Sequence, residues 1–279
     1  GVERAVVPGF YGGDEAGIVH TFSRGGSDVS GAVIARAVGA NLYENWTDVN
    51  GFMSADPRIV DNPKPIAALS YKELRELAYM GANVLHPESI FPVRISKIPI
   101  NIRNTFCPTA AGTMIVADLD EKELGKRVIT GIAGKKGYSI VYIEKSMMNS
   151  ELGFVRKVLA VLEYYNISFE HMPSGIDTMS IVIADSELAG KEDVVIERIK
   201  KVVNPDHIEI KSGISLIATV GQGMSFKPGS AATLIGALAK EKINIRMIDQ
   251  GSSEMNIIVG IATSDYERAI NAIYQAFQK

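Results

Sequence analysis

The sequence predicts an α/β protein in which a mainly parallel β-sheet is followed by two tandem ferredoxin-like βαββαβ units. Three observations support this order. A strand over residues 16–22, a helix over 27–39 and a strand over 40–46 form a β-α-β unit, which is typical of a parallel sheet. From residue 138 onward, one order of strands and helices occurs twice, and a charged run over residues 118–127 separates the two parts.

The remaining elements of the first part follow from periodicity and capping. We expect the helix over 27–39 to bury a face formed by Val29, Val33, Ile34 and Ala37. Ser70 and Glu73 have the spacing of a capping box, which predicts the start of a helix that buries Leu74, Leu77 and Ala78. A further strand is predicted over residues 99–105.

In the second part, corresponding positions identify the two copies. The helix positions Val155, Val158, Leu159 and Leu162 recur as Ala231, Leu234, Ile235 and Leu238, each set at the i, i+3, i+4, i+7 spacing of a helix with one buried face. A strand beginning Asn166-Ile167 recurs as Asn244-Ile245. Strands over 177–184 and 255–262 follow, and then helices over 191–203 and 265–277.

Composition narrows the classes of function. The 279 residues are 46% hydrophobic, and a net charge of −3 gives no basic surface for nucleic acid or anionic lipid. No apolar run is long enough to cross a bilayer, so we expect no membrane partner. The single cysteine, Cys107, excludes an intrachain disulfide, and with no secretory segment it favours the cytoplasm. The four histidines have no ligand spacing, so no protein metal site is expected.

The turn after the first strand is built like an anion site. Gly25 and Gly26 allow close approach of backbone N–H groups, and Arg24 adds a planar fork suited to carboxylate or phosphate. Ser27 is expected to cap the following helix, with Asp28 in its first turn. Taken alone, a solvated and capped strand-to-helix turn is the more ordinary interpretation.

A second polar group follows the next strand. Thr47 and Asp48 offer a hydroxyl and a carboxylate to a nucleotide, or to Mg²⁺ held through phosphate and water. Ligands of parallel α/β sheets bind at the carboxyl ends of strands, where both groups are predicted to lie. An Asx turn at Asp48 before Asn50-Gly51 is an equal alternative from the residues alone.

Taken together, these motifs resemble those of the aspartate kinases. The matching stretches are 9–12, 21–28, Trp46-Thr47-Asp48-Val49-Asn50-Gly51, 56–58 and Gly81-Ala82-Asn83-Val84-Leu85-His86-Pro87. The resemblance implies the C-terminal portion of an amino-acid kinase fold that phosphorylates L-aspartate with ATP and Mg²⁺, the first step of lysine, threonine and methionine biosynthesis and of diaminopimelate formation. His86 is read as a structural residue.

The resemblance also implies individual roles. Arg24 would clamp a substrate carboxylate, Ser27 would orient it, and Asp28 would align a catalytic lysine or a magnesium-bound oxygen. Thr47, Asp48 and Arg58 match positions that line the ATP site. Met53 stands where many members have an aromatic residue, and Asn83 stands where many have a phosphate-binding lysine, so nucleotide binding is expected to differ at these two positions.

The two C-terminal copies resemble ACT domains, which are amino-acid-sensing modules. The implied effector site is the first loop and its neighbours, with candidate residues Met148, Glu151, Gly153, Phe154, Val155, Ser168 and Glu170. Lysine is the leading effector, with threonine and diaminopimelate as alternatives. ACT pairing implies a homodimer or a dimer of dimers.

The predicted boundaries place the kinase portion at 1–118, the linker at 119–127, and the two ACT units at 128–208 and 209–279. The strand over 128–133 is assignable to either ACT unit.

Members of the family begin with a Lys-x-Gly-Gly motif, which is absent near residue 1, so we expect this piece alone to be weakly active or inactive. The alternative function is a regulatory amino-acid-binding fragment without catalysis. Another amino-acid kinase fits the first part but poorly explains two ACT copies.

Overall fold

Three β-sheets organise the chain in a computed structural model that describes residues 3–22, 25–82, 84–85, 90–120, 124 and 127–278. The first part contains β1 (Tyr11–Gly13), β2 (Val19–Thr21), α1 (Gly26–Ala37), β3 (Tyr43–Thr47), β4 (Ala68–Ser70), α2 (Tyr71–Tyr79), α3 (Phe91–Ile95), β5 (Ile100–Asn104) and β6 (Thr113–Val116). Strands β3, β5, β6 and β4 form one sheet in that order. The β3–β5 and β4–β6 pairs are parallel and the β5–β6 pair is antiparallel.

The prediction that the strands before and after α1 belong to one parallel sheet is wrong. Strand β2 pairs with β1 in an antiparallel hairpin and not with the four-stranded sheet. Local hydrogen bonds explain this, because Asp14 Oδ1 accepts from the N–H groups of Ala16 and Ile18 and closes the turn between the two strands.

The apolar face predicted for α1 is also wrong. Val33 and Ile34 are exposed, whereas Ala32 and Ala35 are buried. A Cβ added at Gly31 would lie 2.6 Å from the hydroxyl of Tyr43, so the helix approaches β3 through small residues. Close approach therefore overrides the hydrophobic periodicity here.

The second part contains β7 (Gly131–Glu144), α4 (Phe154–Tyr164), β8 (Thr178–Ala184), α5 (Asp185–Leu188), α6 (Glu192–Val203), β9 (His207–Val220), α7 (Ser230–Lys240), β10 (Ile245–Asp249), β11 (Asn256–Ala262) and α8 (Tyr266–Phe277). Short 3₁₀ helices occur at Met148–Ser150, Gln222–Phe226 and Thr263–Asp265. The strands form one antiparallel sheet in the order β10-β11-β9-β7-β8, which confirms the α/β class.

The two copies share this sheet through their long strands. Residues 131–136 of β7 pair with 215–220 of β9, next to β11, whereas residues 138–144 pair with the other half of β9 and with β8. The sheet is therefore continuous across the predicted boundary between the copies.

The internal alignment needs one correction. Among the described residues the first copy has no regular strand beginning at Asn166, only isolated bridges from His171 and Ser174 to β8. Ile167 corresponds to Ile243, because each is buried and donates its N–H to a helix carbonyl, that of Leu162 or Leu238, at 3.0 Å. The predicted match with Ile245 is thus shifted by two residues.

The first part packs tightly on the second. Leu74 and Leu77 of α2 share a hydrophobic cluster with Leu216 and Val220 of β9. Glu73, 1% exposed, completes the predicted capping box with Ser70 and also accepts from Thr130 Oγ1 at 2.6 Å and the N–H of Gln222 at 3.1 Å. No described helix is long and apolar enough to cross a membrane.

Candidate functional site

A cleft of about 800 Å³ lies between the first part and the C-terminal sheet. From the first part it is lined by residues 48–53, 55–58 and 61–63 and by Gly81, Ala82 and Val84, and from the second part by residues 132–134 of β7 and by Tyr266 and Ile270 of α8. Its volume is within the range of about 300–1,000 Å³ usual for small-molecule sites. The cleft is therefore large enough for a nucleotide-sized ligand.

Three of the predicted nucleotide residues meet in this cleft, namely Asp48, Met53 and Arg58. Thr47 lies at the end of β3, and its hydroxyl donates to Asp48 Oδ1 at 3.2 Å. Asn83 and His86 lie outside the described residues. The fold thus places Asp48 and Arg58, ten residues further along the chain, in the lining of the same cleft.

A tight turn fixes the start of this segment. Gly51 has φ +87, and a Cβ there would lie 2.3 Å from Thr113 Oγ1. That hydroxyl donates to the carbonyl of Ile66 at 2.7 Å and accepts from the N–H of Phe52 at 2.8 Å. Glycine is required because the chain has to pass close to Thr113 in a left-handed conformation.

Arg58 is the main cation of the cleft and is already paired. Its Nε and Nη2 donate to the carboxylate of Asp56 at 2.7 to 3.2 Å. This hydrogen-bonded guanidinium lowers the pKa of Asp56. The pair fixes the direction of a side chain that is otherwise exposed, and within the described part of the chain Nη1 is left without a hydrogen-bond partner.

The turn at Gly25 and Gly26 leads directly into α1, so both Ser27 and Asp28 lie in the first turn of that helix. Gly25, with φ +62, is the N-cap of α1 and makes no side-chain cap, while Ser27 lies exposed inside the first turn. The predicted Ser27 cap is wrong because the helix already begins at Gly26. Arg24 lies outside the described residues.

Two residues that the sequence reasoning missed, Tyr43 and Asn45, hold Asp28, and the Tyr43 hydroxyl donates to the Asp28 backbone carbonyl at 3.4 Å. Asn45 Nδ2 donates to Asp28 Oδ1 at 2.8 Å and to the Tyr43 hydroxyl at 3.2 Å. Burial raises the pKa of Tyr43, and the nearby Asp28 charge acts in the same direction. The signal available in the sequence was the position of Asn45, two residues after Tyr43 in a predicted strand, since alternate residues of a strand share one face.

Five of the seven predicted effector residues lie within residues 148–155, and the other two, Ser168 and Glu170, lie further along the chain. Met148 and Phe154 are buried in the core of the first copy, with Val155 packed against it, and Gly153 is the left-handed N-cap of α4. Glu151 is ion-paired with Lys157 at 2.7 Å and Lys145 at 3.6 Å, which lowers its pKa, chiefly through the Lys157 hydrogen bond.

The other two candidates make contacts of their own. Ser168 is exposed, and its N–H donates to Glu187 at 3.5 Å. Glu170 accepts a 2.5 Å hydrogen bond from the hydroxyl of Tyr79 on α2. Glu151 therefore lies in a local ion-pair network, whereas Glu170 contacts the first part of the protein.

The acidic residues of these sites are dispersed. Within the described ranges no group of three or more His, Cys, Asp or Glu side chains is arranged to hold a metal ion. A Mg²⁺ ion carried mainly by nucleotide phosphates and water takes only one or two carboxylates from a protein. Asp28 and Asp48 have the oxygen chemistry that such a role requires.

Comparisons with known proteins identify relatives of both parts of the chain. A model of the amino acid kinase family matches residues 2–104, and an ACT domain model matches residues 217–277. Aspartokinase 3 of Bacillus subtilis is 40% identical over 273 residues, which are 98% of this chain and 60% of that protein.

Solved structures extend the comparison. The Clostridium acetobutylicum aspartate kinase is 60% identical, with a TM-score of 0.93 over 98% of this chain and 63% of that one. E. coli aspartokinase III, 26% identical, has been solved with aspartate and ADP and with lysine and aspartate. Their TM-scores are 0.76 and 0.73, with 97% of this chain covering 60% and 59% of theirs. The chain spans about three-fifths of the length of these relatives.

Proposed function

The chain belongs to the aspartokinase family, and on this premise we propose that it serves the ATP-dependent phosphorylation of L-aspartate to 4-phospho-L-aspartate. The observation that carries the proposal is the single cleft that joins Asp48, Met53 and Arg58. Such a cleft supplies hydrogen-bond acceptors, an apolar contact and a cation to one ligand.

In this reaction a β-carboxylate oxygen of aspartate attacks the γ-phosphorus of ATP, and the bond from that phosphorus to the ADP oxygen breaks. No general base is needed, because the attacking carboxylate is already ionised. The protein has to neutralise charge and hold the two anions in line. Mg²⁺ would supply charge neutralisation on the phosphates, with Asp28 and Asp48 as the carboxylates available to hold it.

The nucleotide would bind through Asp48, Thr47 and Arg58. Asp48 would accept hydrogen bonds from the base or the ribose, and the Thr47 hydroxyl would donate or accept one. Met53 would pack on the apolar part of the nucleotide, and Arg58 would donate from Nη1 to phosphate. Its Asp56 partner keeps the guanidinium oriented. Asn83, an amide at a position where relatives of the family often carry lysine, adds hydrogen bonding without charge.

Aspartate would bind at the glycine turn. Arg24 would clamp a carboxylate and Ser27, exposed in the first turn of α1, would orient it. Asp28 would align a cationic partner, since Asn45 fixes its carboxylate. The positive N-terminal end of α1 favours an anion at the same place.

Feedback regulation would act through the C-terminal units. E. coli aspartokinase III binds lysine, and we propose lysine as the effector here, with threonine and diaminopimelate as the alternatives to compare. Gly153 and the neighbouring loop backbone would receive the amino-acid carboxylate and ammonium. Because Glu151 is paired with Lys157, it would bind a ligand ammonium only by exchanging that partner.

We also propose assembly into a homodimer or a dimer of dimers through the ACT units, and a cytoplasmic location where ATP is supplied. Light scattering with and without lysine measures the assembly. A monomer at micromolar concentration in both conditions would contradict it.

The test of the activity is ATP- and aspartate-dependent ADP release by the intact protein, whose mass is measured on the same sample. Turnover that requires both substrates and falls on addition of lysine is the expected result. Asp48→Asn should raise the KM for ATP without changing the KM for aspartate. Lysine binding by calorimetry without turnover or MgADP binding would instead favour a regulatory fragment without catalysis.

A further inference from the structure

The segment that carries the predicted nucleotide residues is held by the C-terminal part of the chain. We call residues 48–64 the nucleotide loop; it contains Asp48, Met53 and Arg58. Two of its side chains, Ala55 and Val60, are 3% and 1% exposed and belong to the hydrophobic cluster of the second ACT-like copy, which includes Ile270, Ile273 and Tyr274 of α8. The loop is therefore packed as part of that core.

Three hydrogen bonds fix the loop backbone to the same elements. Ser54 O accepts from the N–H of Ile132 in β7 at 2.8 Å. Ile59 O accepts from Asn271 Nδ2 at 2.9 Å, and the N–H of Lys64 donates to the Tyr274 hydroxyl at 2.9 Å. Asn271 and Tyr274 lie one turn apart on α8. The loop residues that they bond, Ile59 and Lys64, precede and follow the buried Val60 in sequence.

The loop itself is internally braced, so a displacement at its base reaches the site. Ser54 donates through both N–H and hydroxyl to the carbonyl of Lys64, at 2.9 and 2.8 Å. Met53 forms a β-bridge with Pro65. The N–H groups of Ile59 and Val60 both donate to the backbone carbonyl of Asp56, whose carboxylate pairs with Arg58. Ile59 and Lys64, the two residues that α8 holds, are thus directly bonded to the residues that place Met53 and Arg58.

We propose that Asn271 and Tyr274 are positioning residues for the nucleotide, which set Met53 and Arg58 in the cleft through the backbone of the nucleotide loop. The inference rests on the proposed function, because it assigns these two residues to the nucleotide side of that reaction. Neither side chain lines the cleft, so neither is expected to touch the ligand.

The test uses two minimal substitutions in the intact protein. Tyr274→Phe removes only the hydroxyl and keeps the ring in the core, and Asn271→Asp replaces the donor with an acceptor facing the Ile59 carbonyl. The matched controls are Tyr71→Phe, whose hydroxyl donates to the Ile98 carbonyl away from the loop, and Gln275→Glu on an exposed position of α8.

We expect each loop-directed variant to raise the KM for ATP and the Kd for MgADP about three- to tenfold, the range for loss of one neutral hydrogen bond. The KM for aspartate should stay at the control value, which separates nucleotide positioning from general damage. Equal rises in both KM values, or an unchanged Kd for MgADP, would overturn the inference. If the unsubstituted protein binds no MgADP, the proposed function itself fails.

A second measurement needs no variant. MgADP should slow amide hydrogen exchange in residues 54–64 and also in residues 270–275 of the unsubstituted protein, because the two segments are bonded together. Slowing in the nucleotide loop alone would contradict the proposed role of α8, even if a variant failed to fold.

Discussion

Asp28 is held by a neighbour that contributes no charge. Asn45 uses one amide nitrogen for the Asp28 carboxylate and for the Tyr43 hydroxyl, and it is itself almost fully buried. A buried amide in this position orients a carboxylate without neutralising it. The charge of Asp28 and its orientation are therefore separable by substitution.

Asp28→Asn should lower kcat on the order of 100-fold, as for loss of one preorganised electrostatic group, with little change in the KM for ATP. Asn45→Ala keeps the charge and removes only its hydrogen bond, so a smaller loss of about three- to tenfold is expected. Steady-state kinetics of the intact protein measure both. Comparable losses in the two variants would mean that the carboxylate charge has no special role.

Glu151 gives a pH-dependent prediction. Lys157, and then Lys145, lower its folded-state pKa, so the stabilisation from this network is present above the unfolded-state value and is lost as pH falls through the folded-state value. Lys157→Met should move the Glu151 pKa back toward its ordinary value in a carboxyl NMR titration. A Glu151 pKa that is unchanged by this substitution would show that the ion pair is not formed in solution.

The nucleotide loop depends on one tight turn at Gly51. Gly51 adopts a left-handed conformation against Thr113, which links the loop to β6 and to the carbonyl of Ile66. Gly190, between α5 and α6, has a similar φ of +73 but no neighbour within 4 Å of the position of a Cβ. Substituting each of these two glycines by alanine therefore distinguishes the cost of backbone strain from the cost of a steric clash.

Gly190→Ala should lower the free energy of unfolding by about 1 kcal/mol, the cost of the left-handed conformation alone. Gly51→Ala should cost about 2–4 kcal/mol, because the added Cβ also displaces Thr113 from its hydrogen bonds. Urea unfolding of both variants measures the difference. Equal costs would show that Thr113 can move away freely.

Helix α2 joins the two parts of the molecule. Its capping box was predictable from Ser70 and Glu73 alone, and the structure confirms it. The same Glu73 carboxylate also bonds to Thr130 and Gln222, and Glu76 accepts from Asn256 at 2.6 Å. The same Glu73 side chain therefore caps α2 locally and also binds residues that are distant in the sequence.

The two parts of the chain share their hydrophobic cores. One hydrophobic cluster combines α2 with β9, and another combines the nucleotide loop with α8. Neither part keeps its buried surface if the other unfolds. The described chain is expected to unfold as a cooperative unit, although it contains segments that resemble two different families of domain.

Trp46, the single tryptophan, lies in β3, so its fluorescence reports on the first part of the chain. Far-UV circular dichroism instead reports on the helices and strands of both parts. Urea transitions followed by the two signals should coincide. MgADP at about 100 times its Kd should shift both by the same amount, equivalent to about 2.7 kcal/mol. An early Trp46 transition would show that the first part unfolds independently.

The amino-acid sequence correctly predicted the α/β class, the capped start of α2, and helices α6 and α8 to within a residue of their observed starts. Each of these depends on side-chain periodicity or on residues three positions apart, which act locally. It also indicated Asp48, Met53 and Arg58, whose assignment to a nucleotide stays a prediction.

Other features depend on residues that are distant in the sequence. The buried face of α1 was set by close approach to Tyr43, and the orientation of Asp28 by Asn45. The pairing of β2, by contrast, follows from the local turn at Asp14, which the predicted β-α-β unit did not take into account. The nucleotide loop is held by α8, whose Tyr274 lies 210 residues beyond Lys64. No local pattern encodes such a contact, because its free energy arises only when both segments are buried together.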